Sequence, residues 1–312
     1  MRRDERVILI GEDIGIFGGV YKVTKGLIDE FGPERVRDTP ISEDGILGAA
    51  IGAAITGLRP VVEIMYLDFT PCCMNQMINH AAKLRYMTGG ALCVPLTIRT
   101  TIIQGRNSGP DHSQAFIPLF MHIPGFYVVA PSTPYDAMGL MKTAIRKNSP
   151  TLLFESASLY RSKGEVPEGE VLIPLGKAGI MKEGSDVTVV AVSAAVPVAV
   201  AAARNLEEKG ISVEVIDPRT LVPLDSGTIL DSVRKTGKLV TVENSWRTCG
   251  IGAEIAAMVS SDAYDHLRAP IFRVALRPIP EPFSPPLMKQ LLINENHVIE
   301  AVMKIVRKEA AS

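Results

Sequence analysis

A carboxylate at the head of an apolar helix is the feature of this sequence best suited to moving a proton. Glu43 lies in Asp38-Thr39-Pro40-Ile41-Ser42-Glu43-Asp44-Gly45, after a short apolar segment and a break at Pro40. It runs into Ile46-Leu47-Gly48-Ala49-Ala50-Ile51-Gly52-Ala53-Ala54, which can bury a helix almost entirely. The positive helix end favours the charged carboxylate while loss of water disfavours it, a balance that suits a proton relay. The same pattern fits an ordinary helix start, with Ser42 or Asp44 as N-cap and Glu43 as a first-turn acid. A second candidate is His112, in the polar, irregular stretch Ser108-Gly109-Pro110-Asp111-His112-Ser113-Gln114. Loops carry function more often than cores, and histidine exchanges protons near neutrality. Asp111, His112 and Ser113 do not make a triad by being adjacent, because catalytic partners meet in space. Phe69 and Met65, near a strand–helix boundary, fit core positions as well as a ligand platform. His80 and His122 are read as structural, and His266 and His297 as lying on solvated helix faces.

The Gly11-Glu12-Asp13-Ile14-Gly15-Ile16-Phe17-Gly18-Gly19 loop follows a strand, the context in which glycines cradle phosphate. Its spacing is wrong for a dinucleotide fingerprint, there is no Walker lysine, and two acids would repel phosphate. The alternative is a tight turn at the carboxyl edge of a sheet, where function often gathers. Cys72, Cys73, Cys93 and Cys249 show no Cys-x-x-Cys spacing, which points to reduced thiols in the cytoplasm rather than a disulfide frame or a zinc site.

The elements that must position these residues alternate. In the first half, strands are expected at Val7–Ile10, Val61–Tyr66, Val94–Thr100, Tyr127–Val129 and Thr151–Phe154. Helices are expected at Lys22–Phe31, after Glu43, at Phe69–Tyr86 and at Pro134–Arg146. A Ser, Lys, Gly, Glu and Pro-rich stretch between Glu155 and Asp186 reads as a linker. Beyond it the alternation restarts. Strands are expected at Val187–Val192, Ser212–Ile216, Leu239–Glu243 and Ile271–Val274. The matching helices run on to Lys209, over Ser226–Lys235 and Gly252–Ser260, and from about Asn294. Two β/α blocks imply two α/β parallel-sheet domains, 1–176 and 185–312. With 312 residues, 46% of them hydrophobic, the chain can fill two cores. Its 33 basic and 34 acidic residues give no electrostatic call for nucleic acid or a membrane surface. The charged N-terminus passes straight into a strand without the apolar core of a signal peptide, and the uncharged run Val187–Ala203 reads as strand, turn and buried helix.

Several motifs in order resemble one family. They are Gly11-Glu12-Asp13, Tyr21-Lys22-Val23-Thr24-Lys25-Gly26-Leu27, Asp38-Thr39-Pro40-Ile41-Ser42-Glu43 and Gly57-Leu58-Arg59-Pro60-Val61-Val62-Glu63. After these come Asn79 with Ala81-Ala82-Lys83, His112-Ser113-Gln114, Ile216-Asp217-Pro218-Arg219-Thr220-Leu221-Val222-Pro223-Leu224-Asp225 and Gly252-Ala253-Glu254-Ile255. The set, covering nearly the whole chain, resembles the beta subunit of the thiamine diphosphate-dependent dehydrogenase component of 2-oxo acid complexes, in the pyruvate and acetoin branch. The fold this implies is a transketolase-like pyrimidine-binding domain followed by a transketolase C-terminal-like domain. The implied activity is oxidation of a 2-oxo acid or acetoin, with the acyl group passed to a lipoyl acyltransferase.

The resemblance also implies roles. Glu43 would hydrogen-bond the pyrimidine ring of thiamine diphosphate and act as proton relay. Phe69 would stack on that ring, with Ile41 and Met65 lining the same pocket. His112 would stabilise charged intermediates or protonate the departing lipoyl sulfur. The chain lacks the Gly-Asp-Gly motif with which such families hold the diphosphate and magnesium, so no metal ligand is expected here. The resemblance assigns that charged end to an alpha subunit, in a tetramer of two alpha and two beta chains.

Some positions depart from the family. The chain begins inside what is usually a longer N-terminal helix. The loop before His112 reads Gln104-Gly105-Arg106-Asn107-Ser108-Gly109-Pro110-Asp111 where relatives carry a glycine-rich run and a glutamine, which leaves the substrate open between pyruvate, acetoin and branched-chain 2-oxo acids. Lys147 and Ser149 replace residues near a potassium site, so potassium is not expected. Leu276-Arg277-Pro278-Ile279-Pro280-Glu281-Pro282-Phe283 is also unusual. Two other functions fit parts of the sequence: a non-catalytic paralogue acting only in assembly, and a nucleotide-binding oxidoreductase using the Gly11 loop.

Overall fold

The computed structural model describes residues 1–309. Two sheets organise it, each built mainly from parallel strands. The first contains β1 (Val7–Gly11), β2 (Val36–Asp38), β3 (Arg59–Tyr66), β4 (Thr97–Ile102), β5 (Tyr127–Val129) and β6 (Thr151–Ser156). The second contains β7 (Gly179–Lys182), β8 (Val187–Ala191), β9 (Val213–Asp217), β11 (Leu239–Trp246) and β12 (Phe272–Leu276). Between β9 and β11, β10 (Thr220–Val222) leaves the second half of the chain and pairs antiparallel with β5, so the first sheet runs β10-β5-β6-β4-β3-β1-β2. The second runs β12-β11-β8-β9-β7, with β7 antiparallel at its edge.

Strands buried on both faces read as near-continuous apolar runs, as Val187 to Ala191 does, its one polar residue Thr188 pairing its hydroxyl with Ser232 and Thr236. The Glu43–Ile55 helix buries Ile46, Leu47, Ala50, Ile51 and Ala54 against Ile8, Ile10, Val62 and Ile64 of the first sheet. Its opposite face, with Asp44, Gly45 and Ala49, stays exposed. The apolar run therefore buries one face rather than the whole helix, because the side chains facing outward are small or charged. The second core packs the Ala195–Glu207 helix and the Glu295–Glu309 helix on β8, β9 and β11.

Two expected helices differ. Over Lys22–Phe31 only Leu27–Phe31 is helical, since Lys22 at φ 62° and Gly26 at φ 82° turn the chain the other way. Lys22 instead folds its ammonium over the Phe17 ring, 3.3 Å from the centroid. Phe69–Tyr86 is not one helix but a 3₁₀ segment Leu67–Cys73, a π-type segment Gln76–Ala81 and a short α-helix Leu84–Met87. Pro71 lacks the N–H that a regular helix would use, and Ala82 N donates to the Met77 carbonyl five residues back, 3.1 Å away. Among the described residues no helix is long and apolar enough to cross a membrane.

Candidate active site

Register brings four loops to one sheet edge. Gly11 pairs with both Asp38 and Glu63, so the carboxyl ends of β1, β2 and β3 stand side by side, with β4 next to β3. Ligands of open α/β sheets gather at this edge. The loop after β1 is clipped to the end of β2 by Gly15 N donating to Asp38 Oδ1 at 2.6 Å and by Thr39 N donating to the Gly11 carbonyl at 3.1 Å.

From the loop after β2, Glu43 opens its helix. Ser42 is the N-cap, but its hydroxyl donates to the Pro40 carbonyl at 3.1 Å instead of capping. Glu43 is half-buried, and among the described residues no donor is hydrogen-bonded to its carboxylate. Its charge nevertheless acts on its neighbours. Burial, then Asp13, then Glu43 push the Glu12 carboxyl above its ordinary range. The Cys73 thiol is pushed up to about 12, first by burial and then by Glu43. The Gly11 loop is thus part of the site through Glu12, although its glycines hold no dinucleotide spacing.

Ile41 stands 75% exposed two residues before Glu43, an apolar side chain kept in water beside a carboxylate. Met65 sits where β3 slips register against β4, a bulge that re-aims side chains at a strand end. Phe69 is half-buried on the 3₁₀ segment and meets the His112 ring edge-on, centroids 5.3 Å apart and planes at 89°. Tyr66 completes the group, 5.5 Å from Phe69 and 6.1 Å from His112 between centroids. His112 is half-buried, and Asp111 Oδ1 lies 3.4 Å from its Nδ1.

Sequence reasoning missed what holds these rings. Asp68 Oδ1 accepts from both the backbone and side-chain nitrogens of Gln114, each at 3.1 Å, fixing the chain two residues beyond His112. Burial raises the Asp68 carboxyl despite those bonds. Beneath lies a buried network. Arg99 pairs with Glu63, donates to Glu155 at 2.7 Å and to the Tyr160 hydroxyl at 2.9 Å, and Tyr160 donates to Glu155 at 2.6 Å. Burial would lower the Arg99 guanidinium, but Glu155 and Glu63 carry it upward; burial raises Glu63. The Tyr160 ring lies against Tyr21, centroids 4.9 Å apart, and burial, then the neighbouring Tyr66, raises the Tyr21 hydroxyl. The network thus reaches Tyr21, whose neighbour Tyr66 belongs to the ring group at His112. Acidic and basic residues one strand apart on the same face, as Glu63 and Arg99 are, were the available signal.

Glu43 with the exposed Ile41, and the ring group of Phe69, Tyr66 and His112, thus stand on loops that follow neighbouring strands at one sheet edge. Residues 1–163 match the transketolase pyrimidine binding domain family and residues 176–298 the transketolase C-terminal domain family. The acetoin:2,6-dichlorophenolindophenol oxidoreductase subunit beta of Bacillus subtilis is 46% identical, over 99% of this chain and 94% of its own. The chain belongs to the beta subunits of the thiamine diphosphate-dependent 2-oxo acid and acetoin dehydrogenases. The pyruvate dehydrogenase E1 component subunit beta of Rickettsia felis is 45% identical, over 98% of this chain and 94% of its own. A split-gene transketolase, described as an inactive beta4 tetramer, shares the fold at TM-score 0.80 and 22% identity, over 98% of this chain and 93% of its own.

The residues that the resemblance singles out are of kinds that suit a pyrimidine. A flat ring needs an aromatic or aliphatic face, which Phe69 and Ile41 offer, and its nitrogen needs a polar partner such as the Glu43 carboxylate. Among the described residues no group of three or more His, Cys, Asp and Glu could hold a metal ion.

Proposed function

We propose that this chain is the beta half of a thiamine diphosphate-dependent dehydrogenase acting on a 2-oxo acid or acetoin, and that it works with an alpha subunit as two alpha and two beta chains. The observation that carries this is Glu43, a carboxylate on the first turn of a helix with, among the described residues, no hydrogen-bond donor on it and the exposed Ile41 two residues before it. When bound, the cofactor supplies a nucleophilic carbon and an electron sink for cleavage next to a carbonyl. Glu43 Oε would receive a proton from, and return it to, the pyrimidine nitrogen it bonds. Phe69, Ile41 and Met65 would hold the ring flat against the sheet edge. His112 Nε2 would protonate the lipoyl sulfur that departs when the disulfide opens, the other sulfur taking the acyl group for a lipoyl acyltransferase, while the Tyr66 and Phe69 rings fix the imidazole's plane.

The alpha subunit would supply the diphosphate and magnesium ligands, since the sequence has no Gly-Asp-Gly motif. Ile16, 90% exposed, and Phe17 on the loop after β1, with Ile41 on the loop after β2, are exposed apolar side chains at the same sheet edge, which suits covering by another chain. Calorimetry tests this. The isolated chain should bind thiamine diphosphate and magnesium weakly or not at all, because half the groups that offset desolvation of a diphosphate are missing. Adding the alpha subunit should restore tight, magnesium-dependent binding. Tight binding by the isolated chain would contradict the shared site, and a complex that binds cofactor but turns over neither substrate class would favour an assembly-only paralogue.

A further inference from the structure

The loop that carries His112 is tied down from the other domain. Glu281, 1% exposed, lies between two prolines in the segment after β12, and its Oε1 accepts from Gln104 Nε2 at 2.6 Å. The same Gln104 nitrogen donates to the Asn244 carbonyl at 3.0 Å, at the end of β11. Trp246 Nε1 donates to the Ile279 carbonyl at 3.1 Å, anchoring the segment to its own sheet. Further along, the Phe283 ring lies on Gly109: a Cβ built there would stand 2.2 Å from the ring. Gly109 also has φ +88°, so neither space nor backbone admits a side chain. Leu292 reaches Gly105, its Cδ1 3.2 Å from where a Cβ would be. Four contacts from the C-terminal domain thus span Gln104 to Gly109, three residues before His112.

On the far side of His112, Asp68 holds Gln114. We propose that Glu281 is a positioning residue for His112: with Phe283 it clamps the Gln104–Asp111 loop against the C-terminal domain, so that the imidazole stays edge-on to Phe69. The assignment rests on the proposed role of His112 in acyl transfer. Pro280 and Pro282 fix the clamp's backbone on both sides of Glu281, so ordering it costs little conformational entropy. Gln104 opens the loop that departs from the family's glycine-rich run, and Glu281 falls in the late segment that also departs from the usual pattern. The two departures meet in one hydrogen bond.

The clamp is sensitive to charge. Burial, partly offset by the Gln104 bond and reinforced by the Asp68 charge, moves the Glu281 carboxyl up to about 7. Asp68 is the charged neighbour acting on it, and Asp68 in turn feels His112. Its Oε2 is buried without a hydrogen-bond partner, as is Asp68 Oδ2, so ionisation places a second negative charge where nothing receives it. A carboxyl raised in the folded state stabilises the clamp fully below its unfolded value and loses that contribution as pH rises through about 7. The clamp is therefore tight in acid and loosens in mild alkali.

Amide hydrogen exchange on the full chain reads this without cofactor or partner. After correction for the intrinsic pH dependence of exchange, wild-type protection over 104–112 should fall about tenfold between pH 6 and pH 8, following the protonated fraction of a group titrating near 7. Glu281→Gln keeps an acceptor for Gln104 and cannot ionise, so its protection should stay flat. Phe283→Ala should lower protection at both pH values. Unchanged wild-type protection between the two pH values, or the wild-type pH dependence persisting in Glu281→Gln, would overturn the clamp. In the complex with the alpha subunit, acyl transfer by wild type should decline over the same range, and that decline should be absent in Glu281→Gln. Exchange as predicted with no such decline would refute the positioning of His112 while leaving the proposed dehydrogenase function standing.

Discussion

Arg99→Met isolates the buried network under the site, because it removes one cation and leaves two carboxylates. The Arg99 side chain is 6% exposed, and those of Glu63 and Glu155 are 13% exposed each. Breaking a buried ion pair from one side typically costs about 3–5 kcal/mol, since the remaining charge has lost its partner. Here two carboxylates lose their cation at once, Glu155 keeping only the bond from Tyr160, so the upper half of that range applies. For a domain of this size such a loss lowers the melting temperature by about 10 °C. The pH dependence has a definite sign. Burial already favours neutral Glu63, and without Arg99 it should take up a proton more readily, so the deficit of the variant should shrink as pH falls from 8 to 5.5. Glu63→Gln on the Arg99→Met background should recover part of the loss at pH 8. Scanning calorimetry at the two pH values measures both effects. A loss under about 1 kcal/mol, or one that grows on acidification, would refute a network held together by the guanidinium.

Under the proposed role of His112, His112→Ala should damage the lipoyl-coupled reaction more than oxidation read with an artificial electron acceptor, because the acceptor bypasses the acyl transfer. Equal loss in both assays would assign His112 to the cleavage step. Asp217, fully buried, accepts from Ser132 and from the Arg219 backbone, and burial lifts its carboxyl to about 7. Its contribution is complete below the ordinary aspartate range and fades as pH rises through 7. Asp217→Asn should therefore flatten the stability profile between pH 6 and 8, where the wild-type contribution falls by about 1.4 kcal/mol; an unchanged profile in urea melts would count against it.

Where local pattern and tertiary packing agreed, the fold was legible. Pro134–Arg146 is a helix over those residues because Thr133 caps it by accepting from Asp136 N, and Pro134 fits its first turn. The departures have local and non-local causes. Lys22 at positive φ and Pro71 inside an apolar stretch broke helices that periodicity alone would extend. Nothing in Thr220-Leu221-Val222 says that this strand will join the sheet of the first half, since pairing with β5 is a contact across ninety residues of chain. The site divides in the same way. Glu43 and His112 stand out in the sequence as candidates because their residue types and motifs are local. Asp68, Arg99 and Glu281 do not, because each acts through a partner far along the sequence, and a lone acid in a proline-rich tail looks like a solvated loop.

The central claim is that Glu43 is the proton relay of a shared thiamine diphosphate site. Glu43→Gln keeps the side chain's shape and its place on the first turn, and removes the ionisable carboxylate. In the complex with the alpha subunit, steady-state turnover with saturating cofactor should fall by at least about a hundredfold, the lower range for a lost acid–base group. The melting temperature should stay near wild type, since among the described residues no hydrogen bond to that carboxylate is lost. Turnover within a few-fold of wild type in a properly assembled complex would contradict the account.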